Sequence, residues 1–358
     1  MNRHYDIIIL GDNVGGRSFR AHAAHLGLLD RLTCLTLEIR DREKVASKPC
    51  GSLLTRRART LMNWPESLGT VYRSIRFRFG DEQITTAFTT SPVVITDRGA
   101  VLDHLERLGQ ALGDRTECRY GIHLSKIDFA GRTIRLPTGE DLHYTWLVIA
   151  SGVKGKPTDE LAQYLNKGRQ DTVQTCQYRF PAHGRLPLTL AISSNYGGGY
   201  AWAWQDGDML DIGAVVTWKP DPGSSDLDRL VRTFAKGIGI SIPAGCKAQK
   251  WDIPFRWQGI NPLPGVLLIG DAAGSPFRLS GEGLPQAVLT AKVAALLIAG
   301  KRAEANAVLY PFLLRKGISN LAMALRSGPV GGLLIHTLCW AVVRGGWPLS
   351  FIYWLYGI

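Results

Sequence analysis

The chain contains no C-x-x-C pair, no internal repeat, no low-complexity tract and no uninterrupted apolar run long enough to cross a bilayer. Its six cysteines, Cys34, Cys50, Cys118, Cys176, Cys246 and Cys339, are scattered without the Cys/His spacing of a zinc site, so no metal is expected. They form no disulfide framework, which suits a reducing, cytoplasmic compartment. No basic segment followed by an apolar stretch of export-signal length opens the sequence; YDIIIL at Tyr5 to Leu10 reads as a strand. Acidic side chains are in the minority, 30 against 42 Lys and Arg, for a formal charge of +12. That excess suits nucleic acid, an anionic membrane surface or an acidic substrate. No nucleic-acid module is present and the aromatics sit in strand-like apolar contexts, so no nucleic-acid partner is expected.

What is present is enough for two intimately packed domains: 358 residues, 45% hydrophobic, with 40 glycines, a high number that fits several nucleotide-hugging turns. The most informative segment is Val266 to Ala295, VLLIGDAAGSPFRLSGEGLPQAVLTAKVAA. It reads as a buried strand, an Asp at the strand's end, a small-residue turn, Gly-Glu-Gly and an Ala-rich helix. Asp271 is placed to accept hydrogen bonds from a ribityl hydroxyl, and Gly270 and Gly274 to let the backbone approach a ligand. A helix starting near Gly281, with Gly283 and Leu284 in its first turn, aims free N–H groups at the pyrimidine edge of a flavin, where reduction places negative charge. An ordinary strand-turn-helix is the alternative.

The N-terminus adds a second nucleotide signal. Strand YDIIIL is followed by GDNVGG and a helical RSFRAHAAHLG. Gly11 and Gly16 take the first and third glycine positions of G-x-G-x-x-G, with Gly15 beside the third, while Asn13 replaces the second. Asn tolerates a left-handed backbone, so the turn is expected to survive. Asp12 puts a carboxylate near the expected phosphates, which the motif does not explain. The next strand, Leu32 to Ile39, ends with Glu38, placed to bind the adenosine ribose hydroxyls.

Taken in order, these segments resemble the geranylgeranyl reductase group of FAD-dependent oxidoreductases, related in fold to the aromatic hydroxylases. The resemblance rests on the N-terminal fingerprint, Glu38, KPCG at Lys48 to Gly51, DRGAVLDHL at Asp97 to Leu105, GGYAWAW at Gly198 to Trp204, and GDAAG to GEG. It implies an FAD-binding Rossmann-like domain interleaved with a β-sheet substrate domain in an α/β chain. It further implies that Arg98 contacts the flavin nucleotide, that Tyr200 and Trp202 line the substrate side as the Y-x-W of Y-x-W-x-F-P, and that Cys50 lies near the flavin face as a proton donor or substrate-positioning group. The structural alternatives are packing under the ring for Cys50 and sheet core for the two aromatics. Three departures stand out. Trp204-Gln205 replaces Phe-Pro, so a wider and more polar wall is expected; Arg278 replaces a proline, bringing a cation toward the flavin or an anionic substrate; and Ser151 replaces the Asp of an Ala-Asp-Gly strand end.

Boundaries are read as 1–65, 96–171 and 254–300 for the FAD domain and 66–95 with 172–253 for the substrate sheet, leaving 301–358 as an apolar helical segment. TRRAR at Thr55 to Arg59 reads as a solvated basic helix face rather than a phosphate clamp. In the tail, PVGGLLIHTLCWAVV and GGWPLSFIYWLYGI are each shorter than the roughly 18–20 residues of a span and are separated by Arg344. They suit either helices closing a lipid tunnel or an interfacial pair on a membrane face. The expected activity is FAD-dependent reduction of C=C bonds in a hydrophobic isoprenoid. A flavin monooxygenase or halogenase and a flavin electron carrier are the alternatives. With one dinucleotide fingerprint, electrons must come from transiently docked NAD(P)H or a reduced carrier protein.

Overall fold

The structure, a computed structural model, describes residues 2–326 except 52, 80–81, 88–92, 169, 193–195, 197–198, 217–226 and 279. From the N-terminus the elements run β1 (Asn2–Leu10), α1 (Val14–His25), β2 (Cys34–Leu37), β3 (Leu53–Leu54), α2 (Arg56–Met62), β4 (Thr70–Tyr72), β5 (Ser74–Phe79), β6 (Glu82–Ala87) and β7 (Val93–Ile95). There follow α3 (Arg98–Ala111), β8 (Glu117–Arg119), β9 (Lys126–Asp128), β10 (Thr133–Arg135), β11 (Asp141–Ile149), α4 (Lys156–Tyr164), β12 (Thr172–Pro181) and β13 (Thr189–Ile192). Last come β14 (Tyr200–Asp206), β15 (Met209–Val216), α5 (Leu227–Gly237), β16 (Gln249–Pro254), β17 (Val266–Leu268), α6 (Leu284–Ile298) and α7 (Arg302–Arg326).

The continuous apolar run Ile7 to Leu10 is buried on both faces, as a central parallel strand requires. β1 accordingly sits inside the first sheet, in the order β8-β2-β1-β11-β10-β9, with β17 parallel to the end of β11. Helices α1 and α6 cover one face. Their contact is close because α6 presents Ala291, Ala294 and Ala295 to Phe19 and Ala23 of α1. The second sheet runs β16-β12-β15-β14-β13-β5-β6, and a third, small sheet runs β3-β7-β4. Residues 66–95 are therefore divided between two sheets, since β7 pairs with both β3 and β4 while β5 and β6 join the second sheet.

Period-2 alternation separates the two faces of the second sheet. Cys176, Tyr178, Ala201, Ala203, Ile212 and Ala214 pack under α5, while Trp202, Trp204 and Val215 lie on the opposite face in a cluster with Ile75, Phe77, Val93 and Ile95. α6 begins at Leu284 rather than near Gly281, and Pro285 in its first turn supplies a preset φ where no N–H is needed. The basic segment Thr55 to Arg59 is not a solvated face. Arg56 is exposed, but Arg59 is buried and pairs with Glu66 at 2.8 Å, and Arg57 is half-buried. Among the described residues no helix is long and apolar enough to cross a membrane. Pro329 to Ile358 lies outside the described residues.

Candidate functional site

The turn after β1 is built by close approach. A Cβ on Gly16 would sit 2.0 Å from the carbonyl oxygen of Gly11, whose φ is +112°, so α1 can meet the strand end only with glycine here. Asn13 is not left-handed, contrary to the sequence expectation: its φ is −93° and its ψ −167°. It caps α1, its side-chain oxygen accepting from Gly15 N at 2.9 Å while its amide donates to the Ala150 carbonyl. The second-glycine position thus ties the turn to the end of β11. Asp12 also departs from expectation. Its carboxylate is wholly buried and turned into the protein, where it accepts from Arg17 at 2.9 Å, Arg20 at 3.0 Å and Tyr120 at 2.8 Å. The Asp12 carboxylate therefore does not face the cavity. Glu38, just after β2, accepts from Asp12 N at 2.8 Å and Arg40 N at 3.0 Å, which holds its side chain beside the same turn.

Asp271 follows β17 in a short 3-10 turn. Its carboxylate takes Lys48 Nζ at 2.5 Å, and that ammonium also lies 4.8 Å from the Trp251 ring centre. Gly270 lines the cavity described below, whereas Gly274 does not: a Cβ there would meet the Arg256 carbonyl oxygen at 1.9 Å, so its role is internal packing of the turn. Arg278 stacks on Phe255 at 4.3 Å and does not line the cavity; Pro276 does. The expected cation near the ligand is absent from the wall because the proline of this segment stands two residues earlier. Ser151 bonds Thr158 at 3.3 Å, while its neighbours Ala150 and Gly152 reach the cavity.

On the opposite side lies the aromatic row of β14. Tyr200 donates to the Ser280 carbonyl at 2.6 Å, Trp202 to Asp211 at 2.8 Å and Trp204 to the Gly51 carbonyl at 2.9 Å. Gln205 does not make the wall more polar at Trp204-Gln205. Gln205 points to the other face, where it accepts from Leu186 N at 2.6 Å and donates to the Gly184 carbonyl at 2.9 Å. Alternation along the strand leaves Trp204 alone on the cavity side.

Between the two sheets these elements enclose a cavity of about 230 Å³. From the turns and helix starts of the first sheet come Asn13, Gly15, Arg98, Asp271, Gly281 and Gly283; from the second and third sheets come the apolar Leu53, Leu190, Trp202, Val215, Trp251 and Ile253 together with Thr175 and Gln177. Cys50, Tyr200, Gly270 and Leu284 also line it, so most of the residues singled out from sequence meet in one place. Gly11, Gly16 and Glu38 are not among its lining residues but belong to, or are bonded to, the turn after β1 that adjoins it. Arg98 is placed by Asp97, which caps α3 by accepting from Ala100 N at 2.9 Å, and its buried Nε has no hydrogen-bond partner. A buried donor without a partner on a wall residue, the starts of α1 and α6 at the cavity and the inward turn of the Asp12 carboxylate all fit a bound dinucleotide. Among the described residues no group of three or more His, Cys, Asp or Glu is arranged to hold a metal.

Sequence reasoning missed Lys48, Trp251, Thr175, Gln177 and Glu282 on the wall. Lys48 and Glu282 sat inside motifs already singled out, but Trp251 carried no signal, since only strand pairing across β12 brings it to the cavity. Burial pushes the Glu282 carboxyl up, opposed by Gln286 and Arg57 and by Thr55, whose hydroxyl lies 3.1 Å away.

Asp211, behind Trp202, is pushed by burial up to about 7, against the lowering effect of the Trp202 hydrogen bond and the Arg179 charge. A carboxyl raised on folding keeps its proton in the native state while the unfolded chain releases it near pH 4. Its stabilising contribution is thus complete below pH 4 and is lost as pH rises to about 7, at up to roughly 1.4 kcal/mol per pH unit. Denaturation from pH 4 to 8 should show wild type losing stability relative to Asp211→Asn across that window; parallel curves would place the carboxyl's titration elsewhere.

No protein-family profile matches the sequence, and no curated protein does. Solved structures do match. A geranylgeranyl bacteriochlorophyll reductase-like protein from Thermoplasma acidophilum aligns with a TM-score of 0.70 at 17% identity, over 91% of this chain and 89% of its own. A flavin-dependent brominase aligns at 0.69 and 16%, over 99% and 94%. A probable FAD-dependent monooxygenase from Pseudomonas aeruginosa aligns at 0.64 and 14%, over 91% and 96%. The chain therefore has the fold shared by these reductase-like, flavin-dependent brominase and FAD-dependent monooxygenase proteins.

Proposed function

We propose that the protein is an FAD-dependent oxidoreductase that reduces C=C bonds of a hydrophobic, isoprenoid-type substrate. The observation that carries this reading is a cavity lined both by the nucleotide-type turns around Asn13, Gly270 and Gly281 and by the apolar and aromatic residues Leu190, Trp202, Trp204, Val215, Trp251 and Ile253. Asn13, Gly15 and the start of α1 would hold the pyrophosphate, Glu38 the ribose, Arg98 the nucleotide, Asp271 the ribityl chain and Gly281 to Leu284 the pyrimidine edge. When bound, FAD supplies the redox chemistry, a hydride for one alkene carbon, while the other carbon takes a proton. The chain's own task is to orient the alkene and exclude water. Tyr200, Trp202 and Trp204 offer a flat surface for an unsaturated chain, and Leu190, Val215 and Ile253 extend it. Cys50, which lines the same cavity, would align the substrate or deliver the proton.

Two features support reduction over oxygenation: the KPCG segment and Ser151 in place of a strand-end carboxylate. The deciding experiment is anaerobic turnover of a prenyl lipid extract by the chemically reduced protein, with products analysed by mass spectrometry. Two added hydrogens support the reading; products that form only in air and gain oxygen or halogen make the protein a monooxygenase or halogenase. Cys50→Ser should keep bound flavin and its reduction but slow alkene turnover about tenfold or more, as a positioned acid–base group does. Unchanged turnover leaves Cys50 as packing.

Electrons would come from NAD(P)H docking transiently or from a reduced carrier protein, distinguished by which one bleaches the bound flavin. A prenyl chain must be taken from a bilayer or a carrier, and Pro329 to Ile358 is the most apolar part of the sequence, with Arg344 and no acidic residue. We infer peripheral contact with an anionic membrane surface through this tail, aided by basic residues at about 1 kcal/mol each near the surface. Full-length protein should co-sediment with anionic liposomes in low salt, and deletion of Trp347 to Ile358 should reduce both sedimentation and turnover of membrane-presented substrate while flavin stays bound. Equal sedimentation of the two forms would assign the tail to the protein interior.

A further inference from the structure

The aromatic row of β14 is tied to loops across the cavity at both ends. Tyr200 reaches Ser280 in the loop before α6, and Trp204 reaches Gly51 in the Cys50 loop, while Trp202 between them is bonded within its own sheet to Asp211. The Trp204 tie combines a hydrogen bond with direct contact. A Cβ on Gly51 would stand 2.8 Å from Trp204 Cζ2, so the loop backbone rests on the edge of the indole. The ring itself is 5% exposed and stacks on Trp202 with centroids 5.7 Å apart and planes inclined by 20°. Trp202 is in turn held by the Asp211 carboxyl, so the surface under the loop is rigid. This position is a phenylalanine in the pattern that the chain otherwise resembles, and phenylalanine has no N–H to donate.

We propose that Trp204 is a positioning residue: its indole N–H and ring edge fix the Lys48–Gly51 loop, and with it the Cys50 side chain, against the substrate sheet. The proposal rests on the reading of Cys50 as a reaction-side residue, but the tie itself is independent of any turnover. The Trp204 donor and the Gly51 carbonyl tie the thiol-bearing loop to the sheet that carries the alkene surface, at the end of the loop opposite the Lys48 contacts with Asp271 and Trp251. Without the bond the loop keeps its Lys48 contacts, yet loses a tie to the sheet immediately beside Cys50. Orientation losses of this kind lower the rate of a positioned group more than they lower substrate binding.

The test is the alkylation rate of Cys50 by iodoacetamide in the full-length protein, without substrate or reductant, quantified by peptide mass spectrometry. Cys176, fully buried beneath the sheet, serves as the internal monitor of general loosening. Trp204→Phe should speed Cys50 alkylation about fivefold, the equivalent of one ordinary hydrogen bond, with Cys176 unchanged. Tyr200→Phe, which unties the Ser280 end, should leave the Cys50 rate as in wild type. Gly51→Ala, which pushes the loop off the indole, should reproduce the acceleration and carries the test if Trp204→Phe does not fold. In turnover, Trp204→Phe should lower kcat with KM little changed. A wild-type Cys50 rate in both loop variants, or a parallel rise at Cys176, overturns the proposal. Failure of the alkene-reduction reading would show in product analysis and not in alkylation.

Discussion

Replacing Asp12 with alanine is expected to destabilise the protein by about 3–5 kcal/mol, the range for removing one partner from a buried ion pair. The carboxylate has no exposure and holds two guanidiniums, Arg17 at 7% and Arg20 at 3% side-chain exposure, with the Tyr120 hydroxyl as a third donor. Glu106 at 2.6 Å and Asp114 at 3.2 Å also pair with Arg20, so part of the charge stays compensated and the loss should fall at the lower end. Arg17 keeps the Leu102 carbonyl at 3.1 Å and a longer contact with Glu106 at 3.5 Å. Asp12 also belongs to the Gly11–Gly16 turn, so the variant should lose nucleotide affinity as well as stability. Urea denaturation at neutral pH measures the first effect and FAD titration the second. A variant as stable as wild type would show that the surrounding acids carry the two arginines alone.

The second large effect concerns Asp271. Asp271→Ala should strip or greatly weaken FAD while the fold, followed by circular dichroism, remains. Two groups compete for this carboxylate, the ribityl chain it is expected to hold and Lys48 at 2.5 Å. Asp271→Asn separates them, because an amide still accepts a hydroxyl hydrogen bond but no longer pairs with an ammonium. Retention of flavin by the Asn form and its loss by the Ala form would identify hydrogen bonding as the decisive interaction. Tight flavin binding by both variants would move the ribityl contact to another residue.

The parts of this account legible in the sequence were those in which one local segment dictates its own geometry. A buried strand, a glycine turn and an Ala-rich helix can form in few ways, so Gly11, Gly16, Gly270, Asp271 and Gly283 were recognisable without coordinates. Side-chain direction was less legible. Asp12 read as a carboxylate facing phosphates, and only the buried arginines on the next turns of α1 show why it points inward. Asn13 read as a left-handed substitute for glycine, but its side chain found a capping partner in an extended conformation instead. Gln205 read as a polar wall residue because a motif position was compared, whereas the alternation of β14 sends it to the opposite face. Trp251 was invisible, since its place depends on antiparallel pairing between segments some 75 positions apart, Thr175 with Trp251.

The central claim is that this cavity binds FAD, and the most direct measurement is the flavin content of the purified full-length protein. The account predicts a yellow protein, or one that turns yellow on incubation with FAD, releasing FAD near one equivalent per chain on denaturation and losing it in Asp271→Ala. Protein that purifies colourless and takes up no FAD would contradict the account.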